Sequence, residues 1–235
     1  VTAWRAEVLV PAHRIVFALR GDDLVTLSAG DPVATFRAYR AMPEAVHGMI
    51  AWPNTILLRP EGGGGPVVVD PGYQTQGDML EGALAARGLT PGDVGTVVLT
   101  HMHSDHVSAL PQLGPVTVHV HEAELETPYG RRQRGLLDAA TVVLLRGDAG
   151  EILPGLRWIH TPGHAPGHIA VLVDAADGLT VIAGDTMGPD PGWYTRRDPP
   201  AGLPEREAHL AAYARIAALR PARIIPGHYP PIQGG

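Results

Sequence analysis

The chain has 235 residues, 45% hydrophobic and 18% charged, with a formal net charge of -6 and no cysteine. That suits one globular domain over 1–235 with a full core. It excludes a disulfide framework, thiol chemistry and cysteine-based zinc sites, and the acidic balance argues against nucleic acid as a partner.

In chain order, residues 55–58 and 67–69 are apolar runs joined by Glu61-Gly62-Gly63-Gly64-Gly65-Pro66, which reads as a hairpin. A phosphate-cradling loop would need a Lys-Ser/Thr pair and a following helix, and neither is present. The second run delivers Asp70-Pro71-Gly72 at a strand end. Asp78 and Glu81 have the spacing of a capping box, and Leu80, Ala83 and Leu84 follow at helical intervals until Gly88.

Residues 97–100 read as a strand that empties into His101-Met102-His103-Ser104-Asp105-His106. Residues 116–120 form another strand, and 122–126 and 131–140 read as helical pieces broken near Pro128 and Gly130. Residues 157–159 lead into His160-Thr161-Pro162-Gly163-His164-Ala165-Pro166-Gly167-His168. Residues 170–173 and 180–183 form a hairpin through Asp177-Gly178 and lead into Gly184-Asp185-Thr186. Pro204 opens a helix at its first position, with Leu210, Tyr213, Ile216, Ala217 and Leu219 on its apolar face. Pro221 closes it, and residues 223–225 lead into Pro226-Gly227-His228. There is no internal repeat and no long linker.

Imidazoles and carboxylates gathered at strand ends suit zinc, with iron or manganese as alternatives. A Gly directly precedes His164, Asp185 and His228, and Gly permits the backbone angles that aim a side chain at an ion. His168 reads either as a partner that orients a ligand or as a buried histidine that fixes its loop. His119 and His121 flank a strand end, and His121 is expected at the surface rather than in a cleft. His13, His47, His160 and His209 have no ligand spacing.

With the HxHxDH run, T-P-G-H, G-D-T and the late P-G-H in this order, the chain resembles the metallo-β-lactamase superfamily of binuclear metallohydrolases. The resemblance spans Val67 to His228. It implies an α/β fold, a four-layer αβ/βα sandwich with the site at one edge between two β-sheets. It implies two Zn²⁺ per chain, one held by His101, His103 and His164 and the other by Asp105, His106 and His228. Asp185 would bridge them. The chemistry implied is attack by a metal-bridging hydroxide, with Asp105 and Asp185 as catalytic carboxylates and Asp105 also passing a proton to the leaving group.

In ligand set and spacing the chain looks like the acyl-homoserine-lactone lactonase branch, which implies a small lactone or ester as substrate. Phosphodiester and thioester (glyoxalase II-like) hydrolysis are the alternatives, followed by a mononuclear iron sulfur dioxygenase-like oxidoreductase. One departure is Gly188, where those lactonases often carry a Tyr three residues after the bridging Asp. Whether Trp193 or Tyr194 replaces that Tyr stays open; Met102, Trp193, Tyr194 and Arg196 are the candidate substrate contacts, with Trp52 and Tyr73 as weaker ones. The expected partner is a small molecule, with no nucleic acid and no membrane. No apolar stretch approaches the roughly 20 residues of a membrane span, and no basic segment runs into an apolar one at the N-terminus. The expected location is cytoplasmic, and self-association as a homodimer stays open.

Overall fold

A computed structural model of the protein describes residues 3–42 and 47–234, without the side chain of His47, so the reading of that histidine lies outside the described residues. The strands in chain order are β1 (Trp4–Val10), β2 (His13–Arg20), β3 (Asp23–Gly30), β4 (His47–Trp52), β5 (Thr55–Pro60), β6 (Val67–Val69), β7 (Thr96–Val98) and β8 (Thr117–His121). They continue as β9 (Thr141–Leu145), β10 (Ala149–Leu153), β11 (Leu156–His160), β12 (Ile169–Ala175), β13 (Gly178–Gly184), β14 (Arg223–Pro226) and β15 (Ile232–Gln233). The α-helices are α1 (Pro32–Ala41), α2 (Gly77–Ala85), α3 (Ser104–Val107), α4 (Glu122–Leu125), α5 (Pro128–Gln133), α6 (Pro191–Thr195) and α7 (Arg206–Ala218).

Twelve strands form two six-stranded leaves that touch through one parallel pair, Trp4 with Ala175. The first leaf runs β1-β5-β6-β7-β8-β9, antiparallel up to β6 and parallel from there. The second runs β10-β11-β12-β13-β14-β15, antiparallel except for β13 with β14. Parallel neighbours need crossovers, and α2, α3 and the α4–α5 pair lie in the chain between β6, β7, β8 and β9.

Three hydrophobic clusters give the layers. Ile56, Leu58, Val67, Val69 and Val98 of the first leaf share a cluster with Ile169, Val171, Val173, Ile182 and Ile225 of the second. Successive side chains alternate across a strand, so Leu57, Val68 and Val97 face the other way, into a cluster with Leu80 and Leu84 of α2. On the far side Ala170, Leu172, Val181 and Ile224 pack with Ile216 of α7. Helix, sheet, sheet and helix are thus stacked as the αβ/βα sandwich. Strands buried on both faces explain the unbroken apolar runs of the sequence.

Three local expectations shift. Helix α2 starts at Gly77 with Gln76 as its cap residue, so Asp78 lies inside the first turn and does not cap it. The capping-box contact belongs to the preceding turn, where the Gln76 side chain accepts from the Tyr73 N–H at 2.8 Å. Helix α7 starts at Arg206, two residues beyond Pro204. Residues 131–140 are not one helical piece: the α5 helix gives way to a 3₁₀ turn at Arg134–Leu137, and β9 follows. The three-stranded sheet β3-β2-β4 lies outside the two leaves. No described helix is long and apolar enough to cross a membrane.

Candidate metal centre

The seven expected ligands sit on loops that leave the carboxyl ends of strands, where open α/β sheets place their ligands. After β7 the chain passes Leu99 and Thr100 to His101 and His103, and α3 carries Asp105 and His106. β11 leads to His164, β13 to Asp185 and β14 to His228. The donors fall into three groups: His101, His103 and His164; His101, His106 and Asp185; and Asp105, His106 and His228. Within each group the donor atoms lie within 4.8 Å of one another.

The Asp185 carboxylate stands between the outer two groups. Its Oδ2 lies 3.3 Å from His164 Nε2 and 3.3 Å from His228 Nε2, and its Oδ1 lies 3.4 Å from His106 Nε2. His228 Nε2 is also 3.2 Å from Asp105 Oδ2. Donors held 2.0–2.1 Å from a tetrahedral zinc stand about 3.3 Å apart, so these separations match donors that share cations. His101 Nε2, His106 Nε2 and Asp185 Oδ1 are buried without a hydrogen-bond partner. A buried orphan costs about 1–3 kcal/mol, and an ion among them removes that cost. The donor set therefore fits metal ions.

Contacts behind the donors fix which nitrogen faces the centre. Thr100 donates its backbone N–H and its hydroxyl to Asp70, at 2.8 and 2.6 Å. Its oxygen is then free to accept from His101 Nδ1 at 3.0 Å, which leaves Nε2 as the ligand atom. His106 Nδ1 donates to the same Asp70 at 2.9 Å, again freeing Nε2. Asp70 thus aims two ligands, one directly and one through Thr100. His168 Nε2 accepts the Asp185 backbone N–H at 3.1 Å, so Nδ1 carries the proton, 2.9 Å from Thr161 Oγ1. It is the buried, loop-fixing histidine of the second reading, and what it fixes is the loop of Asp185.

Glu124 does similar work on the first group. One carboxylate oxygen accepts the Met102 N–H at 2.9 Å and the other the Gly167 N–H at 2.7 Å. Asp70 was visible in the sequence only as a strand-end residue, and Glu124 only as part of a helical piece. Its position four residues past a strand was the one available signal.

Charge divides the centre. Burial holds His101, His103 and His164 below the ordinary imidazole range, His164 at about 4. Burial would lower His228 too, but Asp185 and Asp105 outweigh it and raise it to about 9. His106 rises for the same reason. Asp105 is driven the opposite way, to about 2, because His106 and His228 outweigh its burial.

A groove of about 440 Å³ opens beside the first group, walled by His103, His164, Ala123, Pro128, Tyr129 and Ala165. The Tyr129 ring lies 4.2 Å from that of His103. The four expected substrate contacts do not line this groove. Met102 is fully buried in the core beside α2, because neighbours along extended chain point to opposite sides and its neighbours His101 and His103 face the centre. Trp193 packs edge-on to Phe36 and fills the space beside Gly188, where a Cβ would meet its ring. Tyr194 packs edge-on to Tyr213, and exposed Arg196 lies over Gly192. Trp52 stacks on His13. His121 is neither at the surface nor in a cleft: it is buried, stacked on His160 at 4.4 Å.

Residues 53–228 match the family model described as the Metallo-beta-lactamase superfamily. The chain is 30% identical over 222 residues to metallo-beta-lactamase domain-containing protein 1 of Homo sapiens, covering 92% of this chain and 75% of that protein. It is 27% identical over 115 residues to an N-acyl homoserine lactonase of Bacillus cereus, covering 47% of this chain and 46% of that one. Among solved structures, a metallo-beta-lactamase-type protein of Thermotoga maritima superposes with a TM-score of 0.70 at 19% identity, over 98% of this chain and 99% of the other.

Proposed function

The chain belongs to the metallo-beta-lactamase superfamily and is a metal-dependent hydrolase, and on that premise we propose that it opens a small lactone or ester. Two zinc ions would be held, one by His101, His103 and His164 and the other by Asp105, His106 and His228, with Asp185 shared. One observation carries the choice of substrate. The groove beside His103 and His164 has largely apolar walls with Glu126 as a charged side chain, and no Arg or Lys lines it among the described residues. Such a groove takes an uncharged acyl or ring group, whereas an anionic arm reaching past the metal centre would meet Glu126 and no Arg or Lys. The partial similarity to N-acyl homoserine lactonases supports the same reading.

When bound, the metal pair polarises the substrate oxygen and lowers the pKa of water toward ~7. The protein's own groups do the rest. Asp185, buried and held well below the carboxylate range despite its burial, stays ionised between the two groups. Asp105 is the more accessible carboxylate and can pass a proton between solvent and the departing oxygen. With Gly188 bearing no side chain, Tyr129 is the phenol that stands beside a ligand.

The test is turnover of zinc-loaded protein, with metal counted, on an acyl-homoserine lactone, a glutathione thioester and an aryl phosphodiester. Two metals per chain with fastest lactone opening is the expected result. A thioester or phosphodiester preference moves the protein to that class. One iron without hydrolysis refutes the proposal.

A further inference from the structure

We propose that Glu124 is the positioning residue of the first metal group, its carboxylate pinning together the two loops that carry His101, His103 and His164. This inference rests on the two-metal reading. Met102 lies between His101 and His103, and Gly167 lies three residues after His164. Glu124 takes one backbone N–H from each, at 2.9 and 2.7 Å, so both oxygens are used and neither bond depends on a rotating side chain on the loop. The residue is 1% exposed and belongs to no group of donor atoms, so it touches the loops and not the ions.

The surroundings are shaped for this contact. A Cβ at Gly167 would fall 2.6 Å from the Glu124 nitrogen, so only glycine lets that loop press against α4. A Cβ at Gly130 would run into the Glu124 carbonyl, which also accepts the Thr127 hydroxyl at 2.8 Å. Helix α4 is thereby locked from the α5 side while its carboxylate holds the metal loops. Glu124 makes no hydrogen bond or ion pair with Asp105, His106 or His228, and His106 rests on Asp70 instead. Asp70 thus stands behind both halves, through His106 and through Thr100 to His101, whereas Glu124 stands behind the first alone, and removing it should loosen that half only.

Glu124→Gln keeps the volume but replaces one acceptor oxygen with an NH₂ that cannot accept an N–H. Wild-type and variant proteins are loaded with zinc and titrated against a chelator, and the metal-free forms are melted as a control. Loss of a partner behind a metal ligand typically costs 10–100-fold in affinity. The expected result is one zinc about 10–100-fold weaker and the other unchanged. Glu124→Asp, which keeps the charge and shortens the reach, carries the same expectation should Glu124→Gln fold poorly. Two unchanged affinities overturn the inference, and so does an equal fall in both, which a merely core-filling residue would give. A wild-type protein that holds a single zinc refutes the two-metal reading separately. The inference then stands only if Glu124→Gln weakens that one zinc.

Discussion

His101, His103 and His164 offer buried imidazoles that are neutral at neutral pH, whereas His106 and His228 face Asp105 and Asp185 and hold protons until an ion displaces them. Both halves have a carboxylate behind them, Glu124 behind the first and Asp70 directly behind the second, with a further link through Thr100 to His101 of the first. The difference lies in where the carboxylates point. Glu124 is spent on backbone N–H groups and makes no direct contact with the imidazoles of the centre. Asp105 and Asp185 lie directly against theirs. The first half is ready for a metal, and the second exchanges protons for one.

The severest way to break this comparison is to remove the group that both halves share. Asp185→Asn should lower kcat on the order of 10²–10³-fold, the size seen when one electrostatic partner of the reacting centre is lost. Asp105→Asn should also cost turnover far more than stability. Steady-state rates with matched metal content check both, and unchanged turnover in fully loaded Asp105→Asn would remove its proton-handling role. Next in size is Asp70→Asn, which should weaken zinc about 10–100-fold. It acts through His106 and through Thr100 to His101, so both ions should feel it, unlike Glu124→Gln.

Calorimetry can sharpen the contrast without a mutation. At pH 7, filling the first half should release fewer protons than filling the second, which also displaces those held by His106 and His228. Titrations in buffers of different ionisation enthalpy count them. The same contrast sets the pH dependence of the metal-free protein. His228 is raised from 6.5 to about 9, so its contribution is complete below about pH 6.5 and is lost as pH rises through 9. His164 is lowered to about 4, so its unfolded form binds the extra proton and stability grows from pH 4 to 6.5. Melting of metal-free protein should peak near pH 6.5 and fall by several degrees toward 9. Zinc-loaded protein, with His228 already deprotonated, should not show that fall.

The donor positions were legible in the sequence because each lies in a loop just after an apolar strand run, and the order of the four motifs resembles that of the family. The leaves of the sandwich were legible for the same reason. What lies behind the donors was not. Asp70 meets Thr100 and His106 across 30 and 36 residues, and Glu124 meets Met102 and Gly167 across 22 and 43. Such pairings are set by how strands are ordered in the sheet, which no local pattern carries. Met102 misled for a different reason. Its place between two ligands suggested the cleft, while the alternation of extended chain turns it into the core. Trp193, Tyr194 and Arg196 sat near Asp185 in sequence, but the Asp190 cap and Pro191 start α6, which carries Trp193 and Tyr194 against Phe36 and Tyr213 and ends at Arg196, over Gly192.

The smallest effect should come from the groove wall. Tyr129 is an exposed ring tilted against His103, with Arg132 5.6 Å from its centroid, and it makes no hydrogen bond to the ligand, so it does not aim it. Asp70 and Glu124 set the geometry of the donors through buried hydrogen bonds, and Tyr129 lends only surface. Tyr129→Ala should therefore leave metal content and kcat nearly unchanged. It should raise KM for substrates with an apolar arm by roughly 3–10-fold, about the worth of one aromatic contact. A short-chain ester should show little change, because it does not reach the ring. A large fall in kcat with KM unchanged would mean that the phenol acts on the reacting oxygen, taking the part that a side chain at position 188 does not supply.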